Sequence, residues 1–143
     1  MDFMETASPS EGRVRAVDSE KITINLGFVD LGQIDLLVED GFYSNRTDLI
    51  RTAIRNQLER HSDAVKQSVT RRHLDLGLRQ FTRRDLEAVR AAGETLHIQV
   101  LGLAVIAADV PAELARETIA SIQVLGALQA SAAVKAALAD RIA

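Results

Sequence analysis

Between Lys21 and Leu26 apolar and polar side chains alternate, with Ile22, Ile24 and Leu26 in one set and Lys21, Thr23 and Asn25 in the other. A period of two predicts a strand with one greasy and one polar face. Gly27 ends it. From Phe28 to Asp40 the apolar positions Leu31, Ile34, Leu37 and Val38 recur at helical spacing, and Gly41 stops that helix. Ser44 is the expected cap of a second helix, with Asp48 in its first turn, and the stripe Leu49, Ile50, Ala53, Ile54 and Leu58 carries it to about Arg60. Residues 1–19 show no sustained period and mix Pro, Gly, Ser and both charge signs, which predicts a flexible arm.

A strand and two helices in about 40 residues cannot stand alone. A lone strand leaves its backbone donors and acceptors unpaired, and so short a segment buries too little surface to offset its conformational entropy. A second copy resolves both deficits. Two antiparallel copies of KITINL form a ribbon whose Ile22, Ile24 and Leu26 turn onto four helices, giving a dimer core completed by Leu31, Ile34, Val38, Leu49, Ile50 and Ile54.

The C-terminal half carries an internal repeat. IQVLGLAVIAADVPAELA from Ile98 and IQVLGALQASAAVKAALA from Ile122 match at ten of eighteen positions, an offset of 24. A fainter copy, LGLRQFTRRDLEAV, has its Leu-Gly at 76 and 77, against 101 and 102, then 125 and 126. Each copy predicts a strand around the Leu-Gly, a capping residue (Thr82, Asp109 or Ser131) and a short helix. Such units bury their apolar faces against their neighbours, which predicts a small strand-plus-helix solenoid. Gly102 and Gly126 are expected at bulges or close backbone approaches, and Gln99 and Gln123 at equivalent stacked positions. The terminal strand edges of a short stack can pair with another chain, so residues 74–143 are expected to self-associate, with Ile98, Val100, Ile122 and Val124 assigned to that contact. A compact mixed domain without further assembly is the alternative.

KITINL, the helix-stop glycine and the run GFYSNRTDLIRTAIRNQL resemble the ribbon-helix-helix (CopG/Arc/MetJ-like) family of bacterial and phage repressors, over about residues 20–60 and so in the N-terminal part only. The resemblance implies an obligate dimer that binds double-stranded DNA. Its strand positions, here Lys21, Thr23 and Asn25, contact bases in the major groove, which admits a two-stranded ribbon. Its second helix start, here Ser44, Asn45 and Arg46, meets the phosphate backbone, where free N–H groups and the helix dipole favour anions. Arg51 and Arg55 lie further along and are expected to support packing or surface ion pairs.

Composition narrows the classes. The 143 residues are 47% hydrophobic and 26% charged, ordinary globular usage. The fold class expected is mixed α and β: arm 1–19, ribbon-helix-helix domain 20–62, basic linker 63–73 and strand-helix repeat domain 74–143. The net charge of −3 hides a gradient, since residues 66–84 hold six basic residues against Asp75 alone. That run lacks the aromatic interleaving of a single-strand binder and is expected to be a solvated connector. No cysteine is present and His61, His73 and His97 are scattered without ligand spacing, so no metal site, no cofactor and no catalytic residue is expected. The chain has no secretory start and no apolar run long enough for a membrane, pointing to a bacterial, cytoplasmic, nucleoid-associated protein. The reading is a DNA-binding repressor whose C-terminal repeats join dimers into higher homo-oligomers. Its alternatives are an antitoxin with a toxin partner, which represses its own operon, and a structural, polymer-forming protein that uses the N-terminal unit only to dimerise.

Overall fold

The computed structural model describes residues 19–143; the expected N-terminal arm, apart from Ser19, lies outside the described residues. The described chain separates into two compact units, residues 19–68 and residues 69–143.

In the first unit, helix α1 spans Phe28–Glu39 and helix α2 spans Arg46–Arg60, followed by α3 at Ser62–Arg71, which runs across the division between the units. Gly41 takes φ 87 after α1, a left-handed conformation that suits glycine, and the Phe42 N–H returns to the Leu37 carbonyl at 3.0 Å. The linker expected at 63–73 is helical over Ser62–Arg71, and the basic run 66–84 expected as a solvated connector goes on into a strand at Asp75–Phe81 and a helix that starts at Arg83. Residues 21–26, where alternation predicts a strand, are not in a strand and have no strand partner among the described residues. A strand is held by its ladder, and among the described residues KITINL has nothing to ladder with. Among residues 19–68 none is buried: Ile22 is 72% exposed, Ile24 59% and Phe28 92%, while Leu31, Ile34, Val38, Leu49 and Ile50 are half-buried.

The second unit has a core of its own. Strands β1 (Asp75–Phe81), β2 (Leu96–Ile106) and β3 (Ile119–Gln129) form one parallel sheet in the order β1-β2-β3. Helices α4 (Arg83–Ala91), α5 (Ala112–Thr118) and α6 (Ala132–Ala137) follow the strands, and a short 3-10 turn covers Ala139–Arg141. Alternate strand residues Phe81, Ile98, Val100, Ala104, Ile106 and Ile122 form one buried cluster with Leu86 of α4, Leu114 and Ala115 of α5, Val134 of α6 and Leu138. Full burial of each of the larger of these side chains, valine, leucine, isoleucine or phenylalanine, is worth roughly 1.5–3 kcal/mol. Thr118, buried among them, donates its hydroxyl to the Leu114 carbonyl at 2.7 Å, which removes the cost of an unpaired polar group.

Register aligns the repeats. Leu76, Leu101 and Leu125 are neighbours, as are Gly77, Gly102 and Gly126, and Gln99 lies beside Gln123. The three glycines adopt φ 117, 139 and 123, a region that side chains disfavour. A Cβ on Gly102 would collide with the Gly77 carbonyl, and one on Gly126 with the Gly102 carbonyl. The column is therefore a close backbone stack that only glycine permits.

Thr82 caps α4 in a reciprocal box with Asp85, and the Ser131 side chain accepts from the Val134 N–H in α6. The third expected cap, Asp109, is not one. Pro111 stands at the N-cap of α5 and makes no side-chain bond there; proline's fixed φ suits the start of a helix without a cap. The chain end is tied back by Arg116, whose guanidinium bonds both Asp140 oxygens (2.5 and 3.2 Å) and the Ala137 carbonyl, and by Arg141, which donates to the Arg116 and Ile119 carbonyls.

Gly102→Ala is expected to lower stability by about 2–5 kcal/mol, combining disfavoured φ with a backbone collision. Gly77→Ala, which meets only the first penalty, should cost less; urea unfolding of the two variants compares them. The hydrogen bond from Arg116 holds the Asp140 carboxyl below its ordinary value. A depressed carboxyl contributes stability above the unfolded value of about 4 and loses it as pH falls through the folded one. Acid unfolding should therefore shift to higher pH in Arg116→Ala, measured by circular dichroism.

Candidate nucleic-acid interface

Residues assigned to DNA fall in the 19–68 unit, and the start of α2 is its best-defined part. Asn45, not Ser44, is the cap: its side-chain oxygen accepts from the Asp48 N–H at 2.8 Å. Asp48 in return accepts from the Ser44 N–H at 2.9 Å. The cap is thus displaced by one residue from the position that the serine suggests, because asparagine caps as well as serine. The return bond to Asp48 comes from the Ser44 N–H and not from that of Asn45, so the two bonds span Ser44 and Asn45 and do not close a reciprocal box on one residue. Asp48 also places negative charge at the positive end of the helix dipole.

Arg46, the first residue of α2, reaches back to α1 and forms a two-pronged pair with Asp35, Nε to Oδ1 at 2.8 Å and Nη2 to Oδ2 at 2.9 Å. This pair fixes the helix start against the preceding helix. The bond to Arg46 holds the Asp35 carboxyl below its usual range, and in turn Asp35 binds the arginine's proton more firmly. Both side chains are about half exposed, so the pair contributes little to stability by itself. Its effect is orientation: two parallel N–H···O bonds set a plane as well as a distance.

Beside this start lies an open cleft of about 330 Å³ lined by Asn45, Thr47, Asp48, Arg51, Thr52 and Arg55. Arg51 and Arg55 are expected to support packing or surface ion pairs, and neither forms an ion pair among the described residues. Both instead line a polar cleft with two hydroxyls and a helix N-terminus. The arginine spacing of four carried the signal for a shared helix face. Lys21, Thr23 and Asn25 are all exposed and make no hydrogen bond among the described residues.

Of the residues assigned to self-association, Ile98, Val100 and Ile122 are in the unit's own core, and Val124 packs against it. Their parity is that of Ala104 and Ile106, facing the helices. The opposite parity, Leu76, Leu101 and Leu125 with Leu78 and Leu103, occupies the other sheet face, where Leu76 and Leu78 are exposed. Among the described residues no group of three His, Asp or Glu could hold a metal ion, and no helix is long and apolar enough to cross a membrane.

A profile of the ribbon-helix-helix transcriptional regulator family matches residues 17–135. The chain belongs to that family. The match corrects the expected extent of the resemblance: it is not confined to the N-terminal part but takes in the sheet unit almost to its end. The sequence signal for that extent was weak because the motif-bearing residues all lie before residue 60. Ribbon-helix-helix regulators are not enzymes, and membership implies DNA and a second copy as partners. No curated protein and no solved structure matches the chain.

Asn45→Ala should lower the unfolding midpoint of this ribbon-helix-helix unit by an amount equivalent to about 1 kcal/mol, the usual worth of a cap. Ser44→Ala, which leaves the backbone N–H to Asp48 intact, should change it little. Chemical denaturation followed by circular dichroism compares them.

Proposed function

We propose that the chain is a dimeric repressor in which residues 20–27 of two copies pair as an antiparallel ribbon and enter the major groove of an operator. Lys21, Thr23 and Asn25 contact base edges: lysine donates to guanine, asparagine pairs both ways with adenine, and threonine offers a hydroxyl and a methyl. Ser44, Asn45 and the start of α2 sit over phosphates, positioning the ribbon without reading sequence. Arg51 and Arg55, free of ion pairs among the described residues, add cationic reach to the same face. Arg46 acts through its pair with Asp35, setting the angle of that helix start.

The single observation that carries this reading is the lack of any buried residue in 19–68, within a chain of a ribbon-helix-helix family. Exposed Ile22, Ile24 and Leu26, with the half-buried stripe of α1 and α2, supply the core that a second copy would close. Residues 74–143 form a three-repeat strand-helix stack that joins dimers on adjacent half-sites, raising apparent affinity without new DNA contacts. Its built core speaks against the disordered toxin-binding tail that the antitoxin reading would need.

Selection of bound duplexes from a random pool is the direct test, and enrichment of no common sequence would end the proposal. Thr23→Ala with Asn25→Ala should then abolish preference for the selected site while leaving salt-sensitive, nonspecific binding in place, read by fluorescence anisotropy. Ile24→Asp should abolish both, because it places charge in the dimer core.

A further inference from the structure

The two ends of the sheet differ. At β3, Ile142 bridges Ile122 and the Ala143 N–H donates to the Ile122 carbonyl at 2.9 Å, so the chain's own end covers the start of that edge. At β1 no strand lies outside among the described residues. Six of its seven residues are exposed, including Leu76 at 71% and Leu78 at 61%. Parallel sheets are seldom left with a long open edge, because it offers unpaired N–H and C=O groups and apolar side chains to other chains.

We propose that β1 pairs antiparallel with β1 of a second copy, about a twofold axis at Gly77. This deepens the oligomerising role given to the unit above and rests on that reading. Three features identify the occupant. Asp75 and Arg79 stand two residues to either side of Gly77, so the twofold sets each Asp75 opposite Arg79 of the other copy, making two ion pairs. Leu76 and Leu78 stand one residue to either side, so each Leu76 meets Leu78 of the other copy. Gly77 itself is the uncovered end of the glycine column: a Cβ there would meet nothing within 4 Å, whereas Gly102 and Gly126 each lie against a neighbouring carbonyl. Two glycines facing across the axis let the backbones approach closely.

Within one chain Asp75 already pairs with Arg79 at 2.7 Å, with both side chains about half exposed. Exposed pairs are weak, so exchanging partners across the axis costs little. Head-to-tail stacking of β3 onto β1, continuing the glycine register, would instead set Asp75 against Val124 and Arg79 against Leu128. That pairing places charges opposite apolar side chains and leaves a heterologous, non-closing assembly. The twofold arrangement closes.

The chain has no cysteine, so introduced thiols report cleanly. Full-length Leu76→Cys, carrying a tag, is coexpressed with full-length Leu78→Cys and mildly oxidised. The mixed crosslink is expected to exceed either self-crosslink. Asp75→Arg should reduce it about fivefold, the worth of losing opposite-charge pairs, and Asp75→Arg with Arg79→Asp should restore it. Circular dichroism of each variant confirms folding; the substituted leucines are exposed and outside the core. The proposal is overturned if Leu76→Cys couples preferentially to Leu125→Cys, if mass by light scattering grows without limit as concentration rises, or if the mixed crosslink does not exceed that of an exposed control pair. Operator binding measured on the same samples separates the two readings. A crosslink without DNA binding would fail the regulator and keep this interface; DNA binding without the crosslink would do the reverse.

Discussion

Residues 19–68 form helices of good length and caps yet bury no side chain, and this deficit governs what the protein must do. Helices are held mostly by packing of an apolar face, and a segment of this length has no second layer to supply it. In the proposed dimer the missing layer is another copy of the same segment. Dimerisation and folding of this unit then become one event, so its population depends on protein concentration. The proposed DNA-reading surface inherits the same dependence, because neither strand of the ribbon is a reading element on its own.

The 69–143 unit solves the same problem within one chain. Three strand-helix units repeat, and each supplies the neighbour that the next one lacks. Phe81, Ile98, Val100, Ala104, Ile106 and Ile122 meet Leu86, Leu114 and Val134 in one core. Small helices of six to nine residues suffice because their apolar positions enter a shared core rather than three separate ones. Bonds from Arg116 to Asp140 and from Arg141 to the Arg116 and Ile119 carbonyls hold residues 139–143 beside the start of β3, where Ile142 bridges Ile122.

Much of this architecture was legible in the sequence. The Leu-Gly dipeptides at 76, 101 and 125 place the strands and their register, since a residue that cannot tolerate a Cβ must recur at the same depth of a stack. Gly41 and the Leu-Ile stripe likewise set out both N-terminal helices. Other features were hidden for physical reasons. Ser44 and Asn45 are adjacent and equally good caps, and only the bond from Asp48 distinguishes them. Ile98 and Val100 alternate with His97 and Gln99, a local sign of an inward face, whereas from Leu101 onward β2 is apolar on both faces, as strands of parallel sheets are, and alternation there no longer says which face is inward. The pair of Arg46 with Asp35 joins residues eleven apart on different helices, a contact that local pattern does not encode.

The glycine column fixes more than close approach. Moving β2 or β3 by one position would bring a leucine or another side chain to the place of Gly102 or Gly126, against a neighbouring carbonyl, so the column resists a slip of either strand. Growth or loss of the stack by gene duplication is thereby quantised: a whole unit carrying its own glycine can be gained or deleted, whereas a one-codon insertion within a strand would break the ratchet.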